Sequence, residues 1–470
     1  MRKSKFKQYT LNNITISNAG SEGKSIARHE DKVILIDHAV PGDIVDLRIT
    51  SSKKSFCFGK VEKIIQQSAD RVIPFCSHFG TCGGCKWQHM SYEAQLKYKQ
   101  QQVVDAFQRI GKFPYPELEP IIGSEQTTFY RNKLEYTFTD RKWLADLTVK
   151  DEMNDSEHLG LGFHIPGRFD KVLDIETCYL QAAPSNEIRL AIKEFTVKNG
   201  YAYFNPYSQE GFLRNVIIRN SVMGDLMVIV IFKVEDEEKR IALLEFLKNK
   251  FPEITSLLYV INGKMNDTIY DLDVQVYAGN NHIKEQLEEL VFKIGAKSFF
   301  QTNSKQTLQL YAKTREFAGL SGNELVYDLY TGVGTIANFV AKNAKMVIGI
   351  ESIEQAIIDA KENSAINQIS NTKFFAGDMK DVLNDEFIIE NGKPDVIITD
   401  PPRVGMHEDV VKKLLELKAP KIVYVSCNPA TQARDIAMMQ ELYEVARVQP
   451  VDMFPHTHHV ENIALLTLKK

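Results

Sequence analysis

No apolar run in these 470 residues approaches the roughly 18 needed to cross a bilayer. The first ten residues, MRKSKFKQYT, hold no apolar core of the kind a secretory leader carries. Together these absences predict a cytoplasmic protein with no membrane partner. An excess of one charge is missing too. The net charge is −4, which argues against a bulk polyanion binder. Low-complexity linkers are absent, so the domains should pack rather than hang from tethers. Nothing signals an obligate protein partner. Cysteine is scarce, with six in the chain. In a cytosolic protein six thiols are read first as metal ligands or catalysts, not as disulfides.

What is there divides into three parts. Residues 1–65 read as an OB-like β-barrel, with short alternating segments (NITISNAG, DIVDLRITSS, SFCFGKVEKII) separated by Gly, Pro-Gly and Ser turns. Residues 1–60 carry 11 Lys and Arg against 6 Asp and Glu, a basic end on a mildly acidic body. That distribution suits local nucleic-acid contact, and Lys5, Lys7, Lys53 and Lys54 are candidate phosphate contacts. Residues 66–300 form a central α/β domain that begins with a cysteine cluster. A helical stretch runs from Ser91 to about Ile110, and the segment 91–122 is expected to pack on the C-terminal domain. From 301 to 470 strand and helix alternate, with strand ends expected at Asp328, Ile350, Asp378, Thr399 and Ser426. That rhythm predicts a Rossmann-like parallel sheet covered on both faces, closed by an antiparallel edge.

The strand–turn–helix ELVYDLYTGVGTIANF (324–339) is the first chemical signal. Gly332 and Gly334 let the backbone approach a ligand. Glu351 ends the next strand, placed for both hydroxyls of a ribose. The pattern Gly332-x-Gly334-x-x-Ala337 leaves NAD and S-adenosylmethionine both open. Three carboxylates favour S-adenosylmethionine. Asp328 precedes the turn, where an ammonium would sit. Asp378 follows the third strand, within reach of an adenine amino group. Asp400, in DPPR, follows the fourth at the carboxyl edge of the sheet.

The fifth strand runs into KIVYVSCNPATQARD (421–435), so Cys427 stands at the corner where a strand becomes a helix. Asn428-Pro429 read as helix cap and first helical residue. Partial exposure and the helix N-terminus are expected to lower the thiol from about 8.5 toward neutral. A sulfonium methyl beside a thiolate suggests methylation of uracil carbon 5, which is too weak a nucleophile unaided. Thiolate addition at carbon 6 creates an enolate whose carbon 5 takes the methyl group, after which a base removes the carbon-5 proton. In PHTHHVEN (455–462) Glu461 is the available base. The neighbouring His456, His458 and His459 lack a regular metal-ligand spacing.

Cys76, Cys82 and Cys85, with two intervening glycines, bring three thiols into one loop, and Cys178 in ETCYLQ is a fourth. Spacing alone leaves zinc and a [4Fe–4S] cluster open.

DLYTGVGTIA, SFFQTN, DPPRVGM, VSCNPATQARD and DMFPHTHHVE together resemble the RNA (uracil-5-)-methyltransferase family. The resemblance implies a class I methyltransferase domain at 301–470 and names the barrel a TRAM domain. It implies Cys427 as nucleophile and Glu461 as proton acceptor. It places Gln301, Tyr330, Glu351 and Asp400 at the S-adenosylmethionine site beside the glycine turn at Gly332, and Gln301 and Asp400 also near the target base. Asp378 is a looser match. The CGGC and ETCYLQ segments resemble iron–sulfur members acting on 23S ribosomal RNA, which favours a [4Fe–4S] cluster on Cys76, Cys82, Cys85 and Cys178. The barrel and cysteine motif imply 23S rRNA as partner in place of tRNA. Phe299 or Phe300 is expected either to fill the space a flipped uridine leaves or to pack in the core.

Overall fold

A computed structural model describes residues 6–145 and 154–470, so Lys5 lies outside the described residues. Six strands come first: β1 (Tyr9–Thr15), β2 (Asn18–Ala19), β3 (Ser25–His29), β4 (Lys32–Asp37), β5 (Ile44–Ser52) and β6 (Phe56–Gln66). They form one sheet in the order β1-β5-β6-β4-β3-β2. Alternation builds its core: Ile34 and Ile36, Val45, Leu47 and Ile49, and Cys57 all point inward to meet Ile14, Ile16 and Ala27. Cys57 is a packing residue there, its thiol donating to Ser52 Oγ at 3.3 Å.

The central sheet contains β7 (Lys133–Thr139), β8 (Gly160–Ile165), β9 (Arg168–Asp174), β10 (Leu213–Asn220), β11 (Leu226–Phe232), β12 (Ser256–Ile261) and β13 (Gln275–Gly279). Its order is β13-β12-β11-β10-β7-β8-β9. Strand β11, LMVIVIF, is apolar throughout because both of its faces are covered. One face packs under α2 (Ser185–Lys198) and α3 (Glu237–Lys250), with Leu243, Leu244 and Leu247 on Val228 and Val230. The other face, including Ile217, Ile229, Ile231 and Val260, shares one core with Phe339, Val347 and Ile398 of the C-terminal domain. Each buried aliphatic side chain contributes roughly 1.5–3 kcal/mol, so this junction is a core rather than a surface contact. A hairpin of β14 (His282–Leu287) and β15 (Leu290–Gly295), then α4 (Ser304–Ala318), leads into that sheet.

The C-terminal sheet is built from β16 (Leu325–Leu329), β17 (Met346–Glu351), β18 (Thr372–Ala376), β19 (Val396–Thr399), β20 (Lys421–Ser426), β21 (Tyr443–Val451) and β22 (Glu461–Leu468). The order is β18-β17-β16-β19-β20-β22-β21. The first five strands are parallel, and β22 inserts antiparallel between β20 and β21. Helices α5 (Thr335–Ala341), α6 (Glu354–Ile366), α7 (Met379–Val382), α8 (Asp385–Asn391), α9 (Glu408–Leu417) and α10 (Pro429–Met439) make the crossovers. The Rossmann-like reading with an antiparallel edge stands. Strand β18 ends at Ala376, two residues before the expected Asp378.

Helix α1 (Tyr92–Ala106), capped by Ser91, continues only through a π-helical turn at Phe107–Gly111. Pro114, Pro116 and Pro120 deny the following residues a helix, so helix stops well short of 122. The segment 119–122 instead runs beside β21, Glu119 N–H donating to Val448 O at 2.9 Å and Ile122 N–H to Pro450 O at 3.0 Å. Val103, Ala106 and Phe107 enter the core formed by Tyr424, Ile436 and Met439. Lys99 of α1 donates to Asp452 Oδ1 at 2.5 Å, and both side chains are fully buried. Tyr92 hydroxyl donates to the other carboxylate oxygen at 2.9 Å. Among the described residues no helix is long and apolar enough to cross a membrane.

A Lys99→Met protein leaves the Asp452 carboxylate buried without its cation. Its expected cost is about 3–5 kcal/mol, read as a fall in the denaturant midpoint.

Candidate active site

The carboxyl ends of β16 to β20 lie along one edge, where open α/β sheets place their ligands. After β16 the backbone turns through left-handed conformations at Tyr330, Gly332 and Gly334, with φ of 63°, 54° and 76°. The two glycines do different work. A Cβ on Gly334 would lie 2.9 Å from Ala360 Cβ, so Gly334 lets α5 pack on α6. Nothing lies within 4 Å of a Cβ position on Gly332, so its turn faces open space that a ligand can occupy.

Carboxylates surround that space. Asp328 is buried; its Oδ2 accepts from the Thr331 hydroxyl at 2.5 Å, while Oδ1 has no partner. Burial pushes this carboxyl up to about 7. Glu351 Oε2 accepts from Gly332 N–H at 3.2 Å, and Oε1 from Ile353 N–H at 3.1 Å. Asp378 caps α7, accepting from Lys380 N–H at 3.2 Å. Burial, and then the nearby Asp378 carboxylate, push the Tyr330 phenol up to about 12. An unpaired buried acceptor, an open glycine turn and a strand-end glutamate are a donor–acceptor set that fits an amino-acid-bearing nucleoside. Gln301 is buried, its carbonyl accepting from Asn132 Nδ2 at 2.9 Å. Of the adjacent aromatics, Phe300 packs in the core while Phe299 is 67% exposed.

Cys427 stands where β20 gives way to α10, and Asn428 caps that helix by accepting from Ala430 N–H at 3.2 Å. Ser426 opposes Asn462 at the end of the ladder between β20 and β22, so Cys427 and Glu461 follow at that end, where the Glu461 charge acts on the thiol. Gln432 of α10 locks the arrangement. Its amide donates to Tyr424 O at 2.8 Å and Asn462 O at 3.1 Å, and its oxygen accepts from Asn462 Nδ2 at 2.7 Å. The loop after β19 is drawn in as well, because Arg403 O accepts from Asn428 Nδ2 at 3.0 Å and from Thr431 Oγ1 at 3.3 Å.

The electrostatics correct one expectation. Burial, then the charges of Glu461 and Asp400, push the Cys427 thiol up to about 12, so the helix N-terminus does not bring it toward neutral. Glu461 rises to about 8 through burial and then Asp400, and burial raises Asp400 to about 7. Arg403 opposes the rise at both Cys427 and Glu461. The sequence reading quoted Arg403 within DPPR without giving it a role, although its place three residues after Asp400 was a usable signal. Arg131 was missed without any signal; its guanidinium lies 5.2 Å from the Phe454 ring centroid. His456, His458 and His459 are held neutral by burial, at about 4, 4 and 3.

Cys76, Cys82, Cys85 and Cys178 line one cavity of about 150 Å³, together with Phe79, Leu134, Phe163 and Ile175. Burial pushes Cys82 to about 11 and Cys85 to about 12. Among the described residues no group of three or more His, Cys, Asp or Glu is gathered into metal-ligand geometry. The donor set of four sulfurs on an apolar wall nonetheless suits a group held by thiolates. Gly84 N–H already donates to Cys82 Sγ at 3.4 Å.

Fold and site together define an S-adenosylmethionine-dependent RNA methyltransferase, and comparison with known proteins makes the class definite. A model of the family described as tRNA (Uracil-5-)-methyltransferase matches residues 220–469, and one of the TRAM domain matches residues 11–61. An uncharacterized RNA methyltransferase of Bacteroides thetaiotaomicron is 56% identical over 96% of this chain and 100% of its own length. Another, from Porphyromonas gingivalis, is 53% identical over 96% and 98%. The crystal structure of Pyrococcus abyssi tRNA (uracil-54, C5)-methyltransferase with S-adenosyl-L-homocysteine superposes with a TM-score of 0.75 at 29% identity, covering 97% of this chain and all of that one. The chain belongs to the tRNA (Uracil-5-)-methyltransferase family and carries a TRAM domain. Because a tRNA enzyme matches across the barrel and the cysteine segment, those two features do not by themselves separate tRNA from ribosomal RNA.

Replacing Gly332 by alanine strains a left-handed position and aims a methyl group into the open turn. The expected result is about a tenfold loss of S-adenosylhomocysteine affinity by calorimetry, with thermal unfolding little changed.

Proposed function

We propose that this protein methylates carbon 5 of a uridine in 23S rRNA, with Cys427 as nucleophile and Glu461 as base. The observation that carries the reading is that the β20–β22 ladder ends at Ser426 and Asn462. This leaves Cys427 and Glu461 as the next residues at its end, near enough for the Glu461 charge to act on the thiol, at the edge that also holds the glycine turn. S-adenosylmethionine, when bound, supplies an electrophilic methyl group. Asp328 would hold its ammonium, Glu351 its ribose hydroxyls and Asp378 its adenine amino group, with Gln301, Tyr330 and Gly332 shaping the remaining walls.

The chain's own groups account for each proton. The Cys427 thiol is protonated near neutral pH, so its proton passes to a neighbouring carboxylate, Asp400, as sulfur bonds to carbon 6 of the ring. Carbon 5, now enolate-like, takes the methyl group. Glu461 removes the carbon-5 proton, and the carbon–sulfur bond breaks to restore the ring. Four thiolates from Cys76, Cys82, Cys85 and Cys178 would hold a [4Fe–4S] cluster, with zinc as the alternative; metal analysis and visible absorbance distinguish them. Modification of tRNA is the second reading, favoured by the Pyrococcus abyssi enzyme. Assay of methyl transfer to 23S fragments and to tRNA decides between them, and activity on tRNA alone overturns the first.

A Cys427→Ser protein is expected to form no covalent adduct with 5-fluorouridine RNA and to lose methylation. Glu461→Gln should methylate and then stall, accumulating adduct on ordinary RNA in denaturing gels. Because Glu461 acts ionised, after methyl transfer, and is raised to about 8, kcat should climb with pH through that region. Arg403→Met removes the cation that lowers Glu461 and Cys427, so the climb should move to higher pH.

A further inference from the structure

The cysteine segment is bonded directly to the loop that ends in Glu461. Lys86 and Trp87, the two residues after Cys85, both donate their main-chain N–H to His456 O, at 2.8 and 3.0 Å. Gln95 of α1 closes the junction from the other side. Its amide donates to Trp87 O at 3.0 Å and Met90 O at 2.9 Å, and its oxygen accepts from His456 N–H at 2.8 Å. Phe75, beside Cys76, sets its ring edge-on to His456 at 5.1 Å. Tyr130 hydroxyl donates to Pro455 O at 3.0 Å. Trp87 is 1% exposed, and its indole N–H reaches Gly23 O of the barrel at 3.1 Å.

Neither partner in this junction can hold its own course. Residues 452–460 contain no helix or strand, and neither do residues 76–89. An irregular loop takes its conformation from outside bonds, and here the two loops supply each other with part of them, beside Lys99 donating to Phe454 O at 3.0 Å and Gln102 Nε2 to His458 O at 3.2 Å. The cysteine segment carries three of the four thiols that line the cavity and is tied toward the fourth, Cys178, by Glu176 N–H donating to His78 Nε2 at 2.9 Å, while Cys76 N–H donates to Gln88 Oε1 at 3.3 Å within it. His456 is five residues from Glu461, so slack at Lys86 and Trp87 reaches the carboxylate.

We infer that the four-thiol segment is the clamp that positions Glu461, so that gathering or releasing the thiols tightens or loosens the proposed base. This rests on the reading of Glu461 as base. Glu461 acts only after sulfur has bonded to the ring, so a loosened clamp spares Cys427 and the S-adenosylmethionine turn. It impairs the last proton removal alone.

The test uses the full chain as purified, its metal content measured, in a Trp143→Phe background that leaves Trp87 as the single tryptophan. Three perturbations are compared: chelator-stripped protein, Cys82→Ser, and Gln95→Leu, which touches no thiol. All three should raise amide exchange across 453–461 by about tenfold or more and red-shift Trp87 emission. With a base displaced by about 1 Å, kcat should fall about 100-fold, adduct should accumulate on ordinary RNA, and S-adenosylhomocysteine affinity should hold. Unchanged exchange across 453–461 in stripped protein overturns the proposal. So does a loosened loop with normal turnover, or a rise in KM for RNA with neither loop nor kcat affected, which is the signature of a segment that only faces RNA. Failure of the base assignment shows separately, as a Glu461→Gln protein that turns over normally.

Discussion

Strand β22 runs antiparallel between β20 and β21, and the chemistry of the site depends on its register. Side chains alternate between the two faces of a strand, so a slip of one residue would turn Glu461 away from Cys427. The apolar run of ENIALLTL, buried from Glu461 to Leu466, fixes the strand inside the sheet, and the mutual bonds of Gln432 and Asn462 pin its register at the end near Cys427. Those bonds lie one residue inside the reactive pair. The polar lock and the reactive groups therefore stand or fall together, and neither Gln432 nor Asn462 needs to touch a substrate to matter.

The same geometry explains the unusual proton affinities. Asp328, Asp400 and Glu461 are all raised because each loses water at one crowded edge. A site that receives a sulfonium and an electron-poor ring gains from this. Its carboxylates become proton acceptors near neutral pH without being fully charged beforehand. The thiol is the apparent exception, since it is held well above neutral. On the proposed reading, a nucleophile kept protonated until a ring is in place is not spent on other electrophiles, and a nearby carboxylate takes the proton as the carbon–sulfur bond forms.

Much of this was legible in the sequence for definite reasons. Strands of a parallel sheet are apolar runs that end in turn residues, so β16, β17, β19 and β20 show themselves. Capping chemistry marks the corner at Cys427, and clustered motifs reveal the family. The thiol's proton affinity was not legible. Local sequence shows the helix N-terminus but hides Glu461 and Asp400, which lie 34 residues after and 27 residues before Cys427. Helix α1 was legible to about Ile110, and the three prolines that follow are why helix does not reach 122. The bonds from Lys86 and Trp87 to His456 cross some 370 residues of chain and involve backbone atoms, which no residue pattern records. Substrate choice also escaped, because a solved tRNA enzyme superposes over 97% of this chain.

A net charge of −4 sits oddly on an RNA-binding protein until the placement of its basic end is considered. The barrel does not hang from the catalytic body. Its Gly23 accepts from the Trp87 indole, and a Cβ there would lie 3.4 Å from His458 Nδ1, in the loop that leads to Glu461. Lys24 follows at once, 5.9 Å from the Phe58 ring centroid, and Lys53 lies 5.2 Å from that of Phe56. Aromatic rings under cations, starting beside the reactive loop, are the elements that hold single-stranded RNA. Positive charge elsewhere on the surface would attract RNA away from the one cleft where a uridine can react. Concentrating net positive charge at the barrel end, +5 over residues 1–60 against −9 over the remainder, lets phosphate attraction and base unstacking act on the same few nucleotides.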